Sequence, residues 1–324
     1  MLTVLLTTYN SAKYLHDSIG SILNQTFKDY EFLIIDDGSE DHTEQLVKSY
    51  SDTRIRYIKI SHSGRSKALN IGLQKAKYDW IALMDADDIA HPKRLEKQFI
   101  TGLKKNNVVL TSCVYFLNKR ILFKIDVKNL KFPVDLILHQ KFPNSVLYNK
   151  YFILENGGYN ESLAVAEDYD LWLRVMSKTE FVVIDNVLMY IRYTPYSLSR
   201  KDIKYNDVII YNIQKKYYAD LKKNFGIIQK TKQNFYFGWR EYFFGNSSKA
   251  RNYWVKAGLN FFNPRVILAV IITFLPDSLK QNFKQSEIKL HLKYFISFLF
   301  GKNKTIETKF RKTINTINNL GKEF

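Results

Sequence analysis

Residues 80–88 read Trp80-Ile81-Ala82-Leu83-Met84-Asp85-Ala86-Asp87-Asp88, an apolar run that ends in three carboxylates. A short apolar run bounded by polar residues predicts a buried strand, with the carboxylates at its end. Carboxylates this close repel one another, and a divalent cation among them lowers that cost. The pattern therefore indicates either a metal-diphosphate site at Asp85 and Asp87 or a solvated acidic loop.

Strand-like and helix-like segments alternate before this stretch. Strands are predicted at 2–8, 31–35 and 55–60, and helices at 12–24, 41 or 43 to 50, and 66–77. The alternation predicts a parallel sheet with crossover helices, whose ligands bind at the carboxyl ends of the strands. Three strand ends carry polar residues: Thr7-Thr8-Tyr9, Asp36-Asp37 and Asp85-Ala86-Asp87. We therefore expect these residues to meet at one rim.

The sequence lacks the glycine loops that hold nucleotides in other α/β folds. No G-x-G-x-x-G follows the first strand, and there is no Walker A sequence. A nucleotide site built from carboxylates and a metal ion therefore fits this sequence better than a glycine loop does. After residue 90, helices are predicted at 94–105 and 168–178, and strands at 108–114, 121–125, 142–148, 181–184 and 189–191. The α/β domain is expected to close near residue 200.

Several short motifs stand in the order found in one enzyme family. They are Thr7-Thr8-Tyr9-Asn10, Ile35-Asp36-Asp37-Gly38-Ser39, Asn70-x-Gly72, Asp85-Ala86-Asp87-Asp88 with Pro92 and Arg94-Leu95, Gly157-Gly158-Tyr159, and Glu167-Asp168-Tyr169-Asp170-Leu171-Trp172-Leu173-Arg174. Each motif is weak alone, but together they are specific and cover residues 1 to about 200. The chain resembles the inverting family 2 glycosyltransferases of the GT-A fold, which use nucleotide-sugar donors. The implied fold is a Rossmann-like, mostly parallel sheet.

The resemblance implies a donor site at the rim. Thr7 and Tyr9 occupy nucleobase-binding positions, and Tyr9 would stack on a uracil ring unless it is a core tyrosine. Asp37 matches the aspartate that accepts a hydrogen bond from the base, whereas Asp36 either contacts the donor or caps a turn. Arg65 and Lys67 face either the base and diphosphate or solvent. Ala86 completes the donor-binding set.

The same resemblance implies the groups for metal binding and proton transfer. Asp87 would be the direct ligand of a divalent cation, Mn²⁺ or Mg²⁺, and Asp85 would reach the ribose or a water in the shell of that metal. Asp168 would be the general base that takes the proton of the acceptor hydroxyl, unless it only caps a helix. Glu167 would orient the acceptor.

Two positions depart from the family pattern. Many relatives carry a histidine near the end of this domain that touches the metal or diphosphate, but Thr194 stands there, after Arg192 and Tyr193. The third metal ligand is therefore open. A His-Pro-Ser-like segment on the acceptor side is replaced by Pro143-Asn144-Ser145, so its acceptor contacts do not carry over.

The basic charge lies in the last third of the chain. Residues 1–200 hold 26 Lys and Arg against 23 Asp and Glu, whereas residues 201–324 hold 23 against 8. Aromatic, helical segments and a ten-residue apolar run at 266–275 lie in that part, and ten residues are too few to span a bilayer. We expect residues 201–324 to form a mainly helical region that lies on an anionic membrane or caps the catalytic domain.

These features together predict a metal-dependent, inverting hexosyltransferase. Its donor is expected to be a nucleotide-diphosphate sugar, first UDP-sugar, and its acceptor a saccharide, lipid-linked, in cell-surface polysaccharide synthesis. The alternatives are a dTDP- or GDP-sugar enzyme and a non-catalytic nucleotide- or saccharide-binding module. No nucleic-acid module is recognisable, so nucleic acid is not an expected partner. The single cysteine, Cys113, and the lack of a signal-like start favour a cytoplasmic protein, peripheral on the inner face of the plasma membrane.

Overall fold

The computed structural model describes residues 1–101, 107–117, 120–129, 144–194, 203–221, 234–235, 237–238, 241–242 and 247–258. Within them, the strands are β1 (Leu2–Thr8), β2 (Tyr30–Asp36), β3 (Ile55–Lys59), β4 (Trp80–Asp85), β5 (Ile89–Ala90), β6 (Asn107–Leu117), β7 (Arg120–Ile125), β8 (Val146–Asn149) and β9 (Glu180–Arg192). The α-helices are α1 (Ala12–Leu23), α2 (Thr43–Lys48), α3 (Arg65–Lys75), α4 (Arg94–Ile100), α5 (Lys150–Glu155), α6 (Glu167–Val175), α7 (Ile203–Leu221) and α8 (Ser247–Gly258).

One mixed sheet, in the order β3-β2-β1-β4-β8-β6-β9-β5, organises these elements, and β7 pairs with β6. Strands β3, β2, β1 and β4 run parallel to one another, which confirms the α/β prediction for this half. All residues of β1 and β2 are buried because helices cover the sheet, and α1 packs Leu15, Ile19 and Ile22 into the core.

The second half of the sheet was only partly anticipated. Strand β8 runs antiparallel to both β4 and β6, whereas β6 and β9 are parallel. The two strands predicted at 181–184 and 189–191 are one strand of 13 residues. Register shifts opposite Thr111, Ser112 and Cys113 let β9 continue through the polar Asp185-Asn186 step, because a bulge absorbs extra residues without ending a strand.

The Asn70-x-Gly72 motif has a packing role. A Cβ on Gly72 would clash with the side chain of the buried Leu5, so glycine lets α3 approach β1 this closely. Two residues earlier, Asn70 Nδ2 donates to the Tyr159 carbonyl at 2.9 Å, and its Oδ1 accepts from Tyr159 N at 2.8 Å. The motif therefore ties α3 to the sheet and to the turn at Gly157-Gly158-Tyr159.

The chain divides into two compact units, Met1–Lys223 and Asn224–Phe324. Helix α7 belongs to the first, where Gln214 donates to Tyr169 Oη at 3.1 Å and Tyr217 donates to Asp170 at 3.0 Å. In the second unit, α8 packs Trp254 onto Tyr242, with ring centroids 5.9 Å apart. The predicted apolar run at 266–275 lies outside the described residues. Among those described, no helix combines the length and apolar character of a membrane crossing.

Candidate active site

The strand register brings the predicted residues to one rim. Thr7 of β1 pairs with Asp85 of β4, and Thr8 pairs with Asp36 of β2. Because these strands are parallel and adjacent, their polar ends form one continuous row. Thr7 is 5% exposed and Asp36 is fully buried, so other side chains partly cover this row of residues.

Arg65, the first residue of α3, joins this row to Glu167 at the start of α6. Its Nη2 lies 2.5 Å from Asp85 Oδ1, and its Nε lies 2.7 Å from Glu167 Oε1. Its Nη1 also lies 3.4 Å from Thr7 Oγ1. The planar guanidinium presents several donors in fixed directions, so one side chain holds all three partners. Arg65 thus connects strands β1 and β4 to the start of α6.

Asn144 is a site residue that the sequence did not reveal. Its Nδ2 donates to Asp85 Oδ2 at 3.0 Å, while Arg65 occupies Oδ1 of the same carboxylate. Asn144 stands 59 positions from Asp85, in the segment where the family histidine motif is replaced. Both oxygens of Asp85 therefore have protein partners.

The acidic loop after β4 is electrostatically crowded. Burial and the negative charge of Asp85 raise the pKa of Asp87 to about 6. Burial raises the pKa of Asp88 well above its usual range, and its Oδ2 is buried without a hydrogen-bond partner among the described residues. A protonated Asp88 is a hydrogen-bond donor rather than a metal ligand, because metals bind the ionised carboxylate.

Arg192 fastens this loop from the end of β9. Its backbone N–H donates to Asp88 Oδ1 and its Nε donates to the Asp87 carbonyl, both at 3.0 Å. Its Nη2 also reaches Asp17 Oδ2 at 2.7 Å. Arg192 precedes Thr194, at the family histidine position, by two residues. A guanidinium rather than a histidine therefore contacts the acidic loop from this segment.

The carboxylates at this site provide some of the ligands that a divalent cation needs. Burial, followed by the charge of Asp85, raises the pKa of Asp87, and a nearby cation would lower that cost of ionisation. Mg²⁺ typically takes one or two carboxylates and fills the rest of its shell with water and phosphate oxygens. The described residues contain no group of three or more His, Cys, Asp or Glu side chains arranged to hold a metal. The protein would thus supply Asp87 as a direct ligand, with Asp85 as a second carboxylate whose two oxygens also accept from Arg65 and Asn144.

Glu167 and Asp168 open α6 beside this row. Ala166 precedes them with φ of 60°, a left-handed conformation that a residue with a Cβ rarely adopts. It also occupies the N-cap position, so Asp168 lies in the first turn instead of capping the helix, and its Oδ1 accepts from Tyr169 N at 2.7 Å. Burial, followed by the charge of Glu167, raises the pKa of Asp168 to about 7. A carboxylate with that basicity suits proton abstraction near neutral pH.

The predicted nucleobase side is built on Asp37. Its Oδ1 accepts from Ser63 N at 2.8 Å, and its Oδ2 accepts from Gly64 N at 2.9 Å. His62 Nδ1 lies 2.9 Å from Oδ2, and the His62 ring stacks on Tyr9 with centroids 4.2 Å apart. Asp37 thus holds the loop that starts α3, and its contact with a base stays a prediction.

The exposure of Tyr9 and the contacts of Asp36 bear on the two roles considered for each residue. Tyr9 is 45% exposed, so it is not a core tyrosine, and its free ring face is available for stacking. Asp36 accepts from Ser39 N at 2.8 Å and from Tyr57 Oη at 2.5 Å. Those are the contacts of a turn cap, and a role of Asp36 toward the donor stays a prediction.

The two remaining candidates lie at the edge of this arrangement. Lys67 is exposed on α3, and residues two positions apart on a helix do not face each other, so it is not on the face of Arg65. Ala86 is 7% exposed, and its carbonyl accepts from Ser18 Oγ at 2.8 Å. Contacts of both residues with a donor stay predictions.

Comparison with known proteins identifies the family. The family model described as Glycosyl transferase family 2 matches residues 3–154. A glycosyltransferase of Methanocaldococcus jannaschii is 37% identical over 210 residues, 59% of this chain and 70% of that protein. The O-antigen biosynthesis glycosyltransferase WbnJ of Escherichia coli is 31% identical over 228 residues, 66% of this chain and 88% of that protein.

Solved structures agree on the fold. The crystal structure of S. aureus TarS 1-349 in complex with UDP covers 87% of this chain and 92% of that chain, with a TM-score of 0.54 and 16% identity. TarS 1-349 in complex with UDP-GlcNAc gives a TM-score of 0.59 at 17% identity, covering 83% and 81%. The chain therefore belongs to glycosyltransferase family 2 and has the GT-A fold.

Proposed function

We propose that this glycosyltransferase moves a hexose, with inversion, from a nucleotide-diphosphate sugar to a saccharide acceptor. UDP-sugar is the first donor to test. The observation that carries the proposal is Arg65, which contacts Thr7 and Asp85 at the strand ends and Glu167 at the start of α6. One side chain therefore links the residues assigned to the donor with those assigned to the acceptor.

The proposed chemistry is a single displacement. The acceptor hydroxyl oxygen attacks the anomeric carbon as the bond from that carbon to the diphosphate breaks, and the hydroxyl proton passes to an Asp168 oxygen. The raised pKa of Asp168, about 7, supports this role because a base of matched basicity takes the proton efficiently near pH 7. Glu167, anchored by Arg65, would orient the acceptor hydroxyl.

A divalent cation is proposed to assist departure of the diphosphate. Asp87 would be its direct ligand, with Asp85 as the second carboxylate. When bound, the cation would supply Lewis-acid stabilisation of the diphosphate oxygens. Arg65 and Arg192 lie near the same loop and add positive charge that favours an anionic donor.

The acceptor is proposed to be lipid-linked and to belong to cell-surface polysaccharide synthesis. Support comes from WbnJ, whose name assigns it to O-antigen biosynthesis. The basic charge of residues 201–324, 23 Lys and Arg against 8 Asp and Glu, supports a peripheral position on the inner face of the plasma membrane. An anionic bilayer would then be the second partner.

A dTDP- or GDP-sugar is the alternative donor class, and a non-catalytic nucleotide- or saccharide-binding module is the alternative function. A thermal-shift panel tests them together, because a ligand that binds only the folded state raises the melting temperature. UDP-, dTDP- and GDP-sugars are each added with Mn²⁺, with Mg²⁺ or with EDTA. We expect a selective, cation-dependent rise with UDP-sugars.

The panel has a matched catalytic control. The Asp168→Asn variant should show the same donor-induced rise but should release no nucleotide diphosphate, because only the base is lost. A selective rise without any release from the unaltered protein would favour the binding module. The absence of a rise with every nucleotide sugar would contradict the proposal.

A further inference from the structure

The β6–β7 hairpin carries an exposed apolar surface that the catalytic site does not use. Among the described strands, β7 pairs only with β6, so its other edge has no strand partner in that part of the chain. Its apolar side chains are exposed to an unusual extent: 65% for Ile121, 38% for Leu122 and 47% for Phe123. Contiguous exposed apolar surface of this kind marks a site for a protein or membrane partner.

Apolar and basic residues lie together along β7. Ile121 pairs with Phe116 and Phe123 pairs with Tyr115, and the register shift between Tyr115 and Phe116 places Ile121 and Phe123 on opposite faces of the strand. Phe123 stacks on Tyr115 with ring centroids 4.4 Å apart. Arg120 and Lys124 flank the three apolar residues in sequence. Apolar tips beside flexible basic side chains suit a bilayer interface, where the stems lie along the apolar region and the charges reach the headgroups.

Charge favours an anionic partner. Lys124 pairs with Asp126 at 3.2 Å and Lys128 pairs with Asp185 at 3.4 Å, but the Lys124 and Lys128 side chains remain 43% and 70% exposed. Two copies joined edge to edge through β7 would bring like charges together, which opposes pairing. An anionic bilayer meets the same residues with attraction.

The hairpin lies at the rim of the active site. Leu117 and Arg120 are paired at its turn, and Phe116 pairs with Arg192 on the neighbouring strand β9. The Arg192 backbone N–H donates to Asp88 in the acidic loop at 3.0 Å. A surface that binds the hairpin would therefore also face the acidic rim.

We propose that the β6–β7 hairpin inserts Ile121, Leu122 and Phe123 into an anionic membrane surface and turns the active-site rim toward that surface. This contact would present a lipid-linked acceptor to Asp168. Only this consequence of the contact rests on the proposed function. Loss of membrane contact would leave donor binding in solution intact, so the two proposals fail separately.

A single-cysteine label tests the insertion in the full chain. Cys113 is buried, so a thiol-reactive, environment-sensitive dye can be directed to an introduced cysteine. Phe123→Cys carries the probe, and Tyr151→Cys is the control, because both side chains are 47% exposed and Tyr151 follows β8 at the opposite end of the sheet. With phosphatidylglycerol-containing vesicles, the dye at Phe123→Cys should shift to the blue and that at Tyr151→Cys should not.

A second pair of variants measures affinity. Ile121→Ser with Phe123→Ser should weaken vesicle binding by at least about fivefold through lost apolar burial, whereas Ile100→Ser, at a residue 74% exposed on α4, should not. Vesicle binding with no shift at Phe123→Cys or Ile121→Cys would place the contact elsewhere and overturn the proposal. So would failure to bind vesicles at low salt. A vesicle-independent shift that grows with protein concentration would identify a second copy as the partner instead.

Discussion

Arg65 Nε lies 2.7 Å from Glu167 Oε1, across 102 positions of sequence. The same guanidinium contacts Asp85, so a residue assigned to the donor and one assigned to the acceptor share one cation. The side chains are largely buried, at 27% exposure for Arg65 and 9% for Glu167, so their attraction is only weakly screened by solvent. Occupation of one side of the site can therefore affect the other.

Replacing Arg65 should damage both halves of the site. Arg65→Lys keeps a positive charge but loses the planar fork, so it cannot hold Asp85 and Glu167 together. We expect turnover to fall at least about tenfold, and the free energy of unfolding to fall by about 1–3 kcal/mol because hydrogen bonds to charged groups are lost. Turnover and chemical denaturation measure the two effects.

Arg56→Lys is the matched control for that substitution. Arg56 pairs with Glu31 at 3.2 Å on the edge strand β3, and its side chain is 48% exposed. Its replacement should leave turnover unchanged. If Arg65→Lys were equally silent, Arg65 would be a surface charge without a part in the site.

Asp37→Asn should loosen the loop at the start of α3. The carboxylate accepts from Ser63 N and Gly64 N and lies 2.9 Å from His62 Nδ1, and an amide can accept on only one atom, with its NH₂ facing the remaining donor. We expect the free energy of unfolding to fall by about 1–3 kcal/mol and donor affinity to fall with it. Full stability with lost donor affinity would instead indicate direct contact between Asp37 and the base.

Asp87→Ala should remove cation-dependent donor binding without unfolding the protein. The pKa of Asp87 is raised to about 6, so the ionised ligand forms as pH rises through that value. UDP binding in Mn²⁺ should accordingly strengthen between about pH 5 and pH 7 in the unaltered protein. In the variant we expect at least about a tenfold loss of affinity, about 1.4 kcal/mol, by calorimetry. Unchanged Mn²⁺ dependence in Asp87→Ala would exclude Asp87 as the ligand.

The position of a C-terminal truncation should determine whether the catalytic unit stays folded. A boundary at residue 200 was predicted, but α7 donates hydrogen bonds from Gln214 and Tyr217 to Tyr169 and Asp170 on α6. A chain ending at Lys223 should keep them and bind nucleotide. A chain ending at Arg200 leaves Asp170, 2% exposed, without Tyr217 and should melt at lower temperature. Equal melting temperatures would contradict a structural role for α7.

The sequence was sufficient to predict the features that depend on local patterns of apolar and polar residues. Apolar runs located β1, β2 and β4, and the parallel order placed Thr7, Asp36 and Asp85 at one rim. The contacts of Arg65 with Glu167 and of Asn144 with Asp85 were not predictable, because they join residues far apart in sequence and depend on how α6 and the segment before β8 dock.

The antiparallel insertion of β8 between β4 and β6 escaped prediction for a related reason. Its short apolar run does not reveal strand direction, because direction depends on which neighbours it pairs with. The continuous β9 was missed because its polar Asp185-Asn186 step resembles a turn in sequence, whereas pairing with β6 keeps the strand intact.

The raised pKa of Asp168 also affects the stability of the fold. Its pKa is raised from 3.8 to about 7, so the folded protein retains a proton that the unfolded chain loses. Stability should therefore fall as pH rises from about 4 to about 7. Asp168→Asn removes that penalty and should raise the free energy of unfolding at pH 8 by about 1–4 kcal/mol, with no gain below about pH 4. An equal gain at both pH values would mean that the raised pKa is not its cause.

In the proposed reaction, Asp168 takes the proton of the attacking hydroxyl. Slow hydrolysis of a UDP-sugar, in which water replaces the acceptor, measures this step without an identified acceptor. We expect a rate that falls about tenfold per pH unit below about pH 7, and an Asp168→Asn variant that loses at least about a hundredfold in rate while binding donor normally. Near-normal UDP release by Asp168→Asn across the same pH range would contradict this role of Asp168.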